Sequence, residues 1–162
     1  MSFQQSVELY SGVGQAGQPA STSPIIAAAG GPGAFQAGTS GLIMARFAWR
    51  NASNPLRLDN TGTGKPVGFV QNNANATIGY LQSNSMTISA GREASVIVGG
   101  DFWAISTTVA TVGQKVFAVL ATGLLATGAA GATISGAVET DWYVASPAAI
   151  GDLLIISTWS KA

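Results

Sequence analysis

Short apolar runs separated by glycine and other turn residues most restrict how this chain can fold. The sequence contains 21 glycines among 162 residues, and glycine is unfavourable in helix interiors. From Gly41 onward, runs rich in Val, Ile, Phe and Trp recur with turn signals about every 8 to 12 residues, which is typical of sandwiches and barrels. The sequence therefore predicts an all-β fold, a compact β-barrel or jelly-roll-like sandwich of short strands.

The expected strands are read from alternation and from the turn residues that flank them. In the first strand, Ile43, Phe47 and Trp49 are expected on one face, and a loop rich in Asn, Pro and Gly is expected at 51–64. The predicted strands are 42–49, 67–70, 77–81, 86–88, 95–98, 102–105, 116–120, 132–134, 137–144 and 153–158.

The chain divides into an extended Gly/Pro/Ala-rich N-terminal arm, 1–40, and a single β domain, 41–162. Three prolines and several glycines exclude a regular helix from the arm, where only 7–10 is expected to pair as a short strand. The arm contains too many apolar groups for a solvated tail. We therefore expect it to lie on a partner or on its own core.

Few charges and an exact balance of sign restrict the possible partners. Charged residues form 9% of the chain, and seven Lys and Arg balance seven Asp and Glu. This leaves no net field to attract nucleic acid or an anionic membrane. A weakly charged, neutral chain tends to associate with itself, which favours a homo-oligomer or a particle-bound protein.

Catalysis is not indicated by the residue types. The chain has no Cys and no His, so a Cys nucleophile is excluded and the commonest general base and the commonest zinc ligand are missing. Glu139 and Asp141 form the only near pair of carboxylates, and Asp59 with Asn60 lies in a loop that lacks a spaced run of calcium ligands. We expect no enzyme, no metal and no cofactor. The first ten residues do not resemble a signal peptide, so synthesis in the cytoplasm is expected.

Two glycine motifs resemble nucleotide-binding sequences only superficially. Residues 12–17 match the spacing of a dinucleotide fingerprint, but the sequence after them cannot begin the required helix. Residues 61–66 resemble the end of a phosphate loop, but Pro66 stands where a hydroxyl ligand is needed. The uncharged stretch between Lys115 and Glu139 could span a bilayer as a helix. Its glycines and small residues favour strands joined by turns instead.

The four tryptophans, Trp49, Trp103, Trp142 and Trp159, each lie in or beside a predicted strand. Trp buries a large area and carries one donor, so it is common in cores and at interfaces. Core packing is favoured here over a platform for sugar binding.

Several segments are notable for the order in which they occur. They are the N-terminal arm, Ala45–Trp49, Thr61–Gly64 with Val67–Val70, Met86–Gly91, Gly100–Trp103, Val112–Ala118, Gly136–Trp142 and Gly151–Trp159. In this order they resemble the capsid cement (decoration) proteins of tailed bacteriophages, and the likeness covers most of the chain from about residue 41.

This resemblance implies a structural protein on the outside of an icosahedral shell, made in the host cytoplasm, that bridges neighbouring major capsid subunits and stabilises the expanded head. The implied partners are the major capsid protein and further copies of the chain, as a homodimer or homotrimer, with no nucleic acid and no membrane. The alternative is a receptor- or carbohydrate-binding β module of a phage tail or fibre. The candidate protein-interface residues are Val7, Leu9, Tyr10, Ile25, Ile26, Phe35, Arg46 and Arg50.

Overall fold

The computed structural model describes residues 14–30, 34–72 and 86–159, and no helix occurs in these three ranges. The predicted strands at 7–10 and 77–81 lie outside them. The described strands are β1 (Ile26–Ala27), β2 (Gln36–Ala37), β3 (Leu42–Ile43), β4 (Phe47–Arg50), β5 (Arg57–Asp59), β6 (Gly68–Val70), β7 (Thr87–Ile88), β8 (Val96–Gly99), β9 (Asp101–Ile105), β10 (Lys115–Val119), β11 (Leu125–Gly128), β12 (Ala137–Val144) and β13 (Leu153–Ser157).

The strands form two stacked sheets and a short ribbon. One sheet has the order β1-β8-β6-β4-β5-β2, the other β11-β10-β12-β13-β9, and β3 pairs with β7. All pairs are antiparallel except β2 with β5. The chain after β9 contacts β11 through an isolated bridge, Ser106 to Leu125, and through hydrogen bonds of Thr107 and Thr108, but β9 and β11 do not pair, so the barrel is not closed. The predicted all-β sandwich is confirmed.

Aromatic rings fill the space between the two sheets. The ring of Phe69 lies 5.6 Å from that of Phe47 and 6.0 Å from those of Phe102 and Trp142, centre to centre. These residues come from both sheets, and each is at most 3% exposed. Their edge-to-face and tilted contacts, together with the buried area, hold the sheets together.

The six-stranded sheet is covered on its other face as well. Ala48, Val70 and Val96 alternate with the residues of the central core and belong to a second buried cluster. The β3–β7 ribbon contributes Leu42 and Ile88 to this cluster. Because successive side chains of a strand point to opposite faces, this alternation buries both sides of the sheet.

The predicted strand 42–49 is wrong as one continuous strand. It is interrupted at Ala45, whose φ of 58° is left-handed. β3 pairs with β7 in the ribbon, whereas β4 pairs with β5 and β6 in the large sheet. The chain must turn between these two sheets, and neighbouring apolar residues do not reveal such a turn.

Four other local predictions also require correction. Residues 132–134 do not form a strand, β5 lies inside the predicted loop 51–64, and β11 was not anticipated. β1 and β2 fall within the arm, where pairing was expected only at 7–10. The uncharged stretch 116–138 forms strands joined by turns, as predicted, and within the described ranges no helix is long and apolar enough to cross a membrane.

Candidate interaction surfaces

The segment 14–30, which we call the strap, covers two sheet edges where the chain passes from one sheet to the other. Gly17 donates a backbone hydrogen bond to the carbonyl of Trp103 at 2.7 Å, and Trp103 donates to that of Gln18 at 2.9 Å. The strap then pairs with β8 through β1, where Ile26 lies opposite Gly99. Because an unpaired edge invites other chains to pair with it, the strap protects the edges of β9 and β8.

Two glycines of the fingerprint-like motif shape the strap where it lies beside β9. A Cβ atom at Gly14 would overlap the indole ring of Trp103, and Gly17 has a φ of 86°. Bends and an isolated bridge at Pro19 follow, with no helix in 18–24. These described glycines therefore shape the strap and provide no helix N-terminus for a pyrophosphate. Gly12 lies outside the described residues.

Asp101 holds the strap through its side chain. The Ser21 hydroxyl donates to Oδ2 of Asp101 at 2.6 Å. Burial alone raises the pKa of Asp101, but hydrogen bonds from Ser157, Ser21 and Ser23 outweigh it, so this pKa lies below its ordinary value of 3.8. The charged form is thus the one that fits the folded strap.

The first exposed apolar surface lies at the outer edge of the six-stranded sheet, where β1 is the terminal strand. Ile25, Ile26 and Trp159 are 44%, 47% and 49% exposed. Trp159 donates from Nε1 to the carbonyl of Pro24 at 3.2 Å, which holds the indole beside the strap. We call this surface, formed by Ile25, Ile26 and Trp159, the β1 edge.

A second exposed apolar surface lies at one end of the five-stranded sheet. The loops after β9 and after β12 meet there, because β9 and β12 both end where β10 and β13 begin. Ile105, Val109, Val112 and Ile150 are 43%, 59%, 49% and 65% exposed. We call these four residues the neutral end, since the ranges 105–114 and 144–151 contain no charged residue.

Backbone hydrogen bonds join the two loops of the neutral end. Ala110 and Ala148 exchange two of them, at 2.9 and 3.1 Å, and Gly151 donates to Ser106 at 3.0 Å. Gly113 also donates to the carbonyl of Val144, at 2.9 Å. The aliphatic side chains are therefore presented by a framework that is already ordered.

The predicted interface arginines make contacts within their own chain. Arg46 is half-buried and donates to the carbonyl of Thr122 at 3.2 Å. Arg50 donates to the carbonyl of Pro55 at 2.9 Å, and its guanidinium lies 4.8 Å from the ring centre of Phe35.

The other predicted interface residues are divided between surface and interior. Phe35 is 2% exposed and belongs to the second core cluster. Ile25 and Ile26 lie at the β1 edge. Val7, Leu9 and Tyr10 lie outside the described residues.

The two neighbouring carboxylates of β12, Glu139 and Asp141, contact different partners. Glu139 lies 3.9 Å from Nζ of Lys115 and accepts from the backbone of Gly131 at 2.7 Å. Asp141 pairs with Lys65 at 3.2 Å on the surface. Among the residues that the structure describes, no group of three or more acids could hold a metal ion. The pair thus has no shared site for acid–base chemistry.

An open cleft of about 700 Å³ lies beside Trp49, between Arg50, Asp59 and Lys65. Trp49 is 3% exposed and donates from Nε1 to the carbonyl of Gly64 at 2.8 Å. Its ring face is therefore not free to stack on a sugar. Trp142 is buried, whereas the predicted core role does not hold for Trp159, which is exposed.

Sequence reasoning did not single out the neutral end. Its residues lie near the ends of β9 and β10 and in the loop before β13, and their exposure depends on how the loops meet. The absence of charge from both 105–114 and 144–151 is the signal that could have drawn attention to them.

Comparison with known proteins extends over nearly the whole chain. No curated protein matches it. A solved structure, of the capsid of Myoviridae Phage XM1, contains a chain of similar fold with a TM-score of 0.61 and 21% identity, covering 98% of each chain. The family model of the XM1 gp53 minor capsid protein matches residues 3–158. The predicted association with a phage capsid is thereby confirmed, and the chain belongs to the XM1 gp53 minor capsid protein family.

Proposed function

We propose that this protein is a capsid cement, or decoration, protein that binds the outside of an icosahedral phage shell. In this role it bridges neighbouring major capsid subunits and stabilises the expanded head. Membership in a minor capsid protein family supports a structural role in a capsid. The surface chemistry supports the finer assignment.

The β1 edge is the observation that carries this proposal. It combines a terminal strand with two exposed isoleucines and an exposed tryptophan. A terminal strand can pair with an extended segment of a partner, while neighbouring apolar side chains provide pockets and area. Trp is also the residue type most enriched among residues that dominate interface energies. We assign the major capsid protein as the partner of this surface.

Many repeated contacts with the shell would give such a cement protein its overall binding strength. One interface of ordinary size, about 1,600 Å² in total, suffices for a stable complex. An oligomer that contacts several subunits of a closed lattice gains avidity beyond any single contact. Such a role needs no catalysis, cofactor, nucleic acid or membrane, and it places the mature protein on the virion exterior after synthesis in the host cytoplasm.

Reconstitution on empty heads tests the proposal. Expanded shells that lack the protein are incubated with the purified full chain and imaged by electron cryomicroscopy, with an unrelated small β protein as the control. We expect stoichiometric density at symmetry-related outer sites and a higher temperature of shell disruption. Bare shells at saturating protein would overturn the proposal, and specific glycan binding together with bare shells would favour the receptor-binding alternative.

A further inference from the structure

We infer that the neutral end is a self-association surface, and that its partner is the neutral end of a second copy of this chain. This deepens the proposed function, on which its biological setting rests, by naming the contact that makes the cement an oligomer.

The neutral end places four strongly exposed aliphatic side chains in one pair of loops. Val109 and Ile150, at 59% and 65%, are the two most exposed large apolar residues of the described chain, and Ile105 and Val112 lie in the same pair of loops. Scattered single apolar residues are normal on a surface, but a group of them marks an interaction site. Burying aliphatic area from water supplies the driving force for association.

The absence of charge from the neutral end meets a requirement of contact between two copies of the same surface. A contact between like surfaces brings each residue close to its own symmetry mate, so a charge near the axis would face a like charge. Where an interface between different proteins contains charges of opposite sign, these give specificity and speed association. The ranges 105–114 and 144–151 contain no charge, and Asp152 lies just outside them.

The apolar composition of the neutral end and the ordering of its two loops also fit a second copy of the chain as the partner. Self-associating interfaces are more apolar than transient contacts between different proteins. The bonds between Ala110 and Ala148, and between Gly151 and Ser106, hold the loops in place before binding. Little conformational entropy is then lost when the aliphatic side chains are covered.

Sedimentation of the full chain, free of shells, tests the inference. The wild-type protein is expected as a dimer at micromolar concentration, and Ile150→Asp should weaken association about tenfold or more. Val98→Asp is the matched control, because Val98 is exposed but lies on β8. Circular dichroism and thermal unfolding establish that each variant is folded.

A charge-swap experiment identifies the partner surface. Ile150→Asp and Ile150→Lys should each sediment as smaller species, and an equimolar mixture should regain the wild-type mass if like ends meet. A monomeric wild-type protein, an unchanged mass for Ile150→Asp, or no recovery in the mixture would overturn the inference.

Shell binding is scored separately from self-association. Oligomers that leave shells bare would contradict the cement role and keep the inference. Monomers that occupy shells would support the cement role and overturn the inference.

Discussion

The hydroxyl of Ser21 and the carboxylate of Asp101 are 80 positions apart in the chain and 2.6 Å apart in the structure. This bond lies where the strap passes from the edge of β9 towards the edge of β8, beside the chain crossing at Gly99 and Gly100. Asp101 also accepts hydrogen bonds that lower its pKa. One carboxylate therefore couples the strap to two neighbouring strands of the five-stranded sheet, β9 and β13.

Acid should loosen this attachment. The pKa of Asp101 is lower in the folded chain than its ordinary value of 3.8, so the unfolded chain binds more protons and stability rises with pH. The contribution is complete well above pH 3.8 and is lost as pH falls through the lowered pKa. Urea unfolding from pH 7 to pH 2.5 should show it, and Asp101→Asn should flatten that part of the profile.

The control for this experiment is Asp141→Asn. Asp141 forms an exposed ion pair with Lys65, and such pairs contribute about 0–1 kcal/mol. An acid profile that changes equally in both variants would contradict a special role for Asp101.

Gly123→Ala should destabilise the protein by more than about 2 kcal/mol. Gly123 has a φ of 68°, and a Cβ there would overlap the carbonyl oxygen of Phe47 and lie 3.0 Å from that of Asn60. Both obstacles are backbone atoms, which cannot rotate away. Denaturant unfolding measures the loss.

Gly136→Ala provides the matched control for the glycine substitution. Gly136 has a φ of 72°, but nothing lies within 4 Å of its added Cβ. Only the conformational cost of about 1–2 kcal/mol is then expected. Equal losses for the two variants would show that close packing at Gly123 is unimportant.

Lys115→Met should cost about 1–3 kcal/mol in the free energy of unfolding. Lys115 is 9% exposed, its Nζ donates to the carbonyl of Thr140 at 3.2 Å, and it lies 3.8 Å from the ring centre of Tyr143. Methionine keeps most of the stem and removes these polar contacts. Lys65→Met, at an exposed ion pair, should cost less than about 1 kcal/mol. Similar losses of stability in the two variants would show that the polar contacts of Lys115 have no special role.

Ile26→Asp should weaken binding to shells about tenfold or more while the chain stays folded. A carboxylate at the β1 edge would lose its water on contact with an apolar partner surface. Occupancy measured against protein concentration gives the affinity. Ala130→Asp, in an exposed turn after β11, is the control, and unchanged affinity for Ile26→Asp would exclude the β1 edge from the shell contact.

Strand-forming patterns confined to one segment were predictable from the sequence. The segment 137–144 was expected as a strand and is β12 with those bounds, and 153–158 differs from β13 by one residue. Alternation and flanking turn residues act over a few positions, so they can be read without knowledge of the fold.

Features that depend on distant segments were not predictable in this way. Two-residue strands such as β1 and β2 are too short to show an alternating pattern. They form because β1 pairs with β8 and β2 pairs with β5. The break at Ala45 has the same origin, since it separates two sheets.

The sequence by itself was enough to determine that this chain is an all-β protein. Its composition also states directly that charges are few and that cysteine and histidine are absent. Tertiary structure alone decided that Phe35 is buried, that Ile26 and Trp159 are exposed together, and that the loops containing Val109 and Ile150 meet at one end. The reason is that a residue type sets the free energy of its burial, whereas the packing of segments far apart in the chain determines which residues are buried.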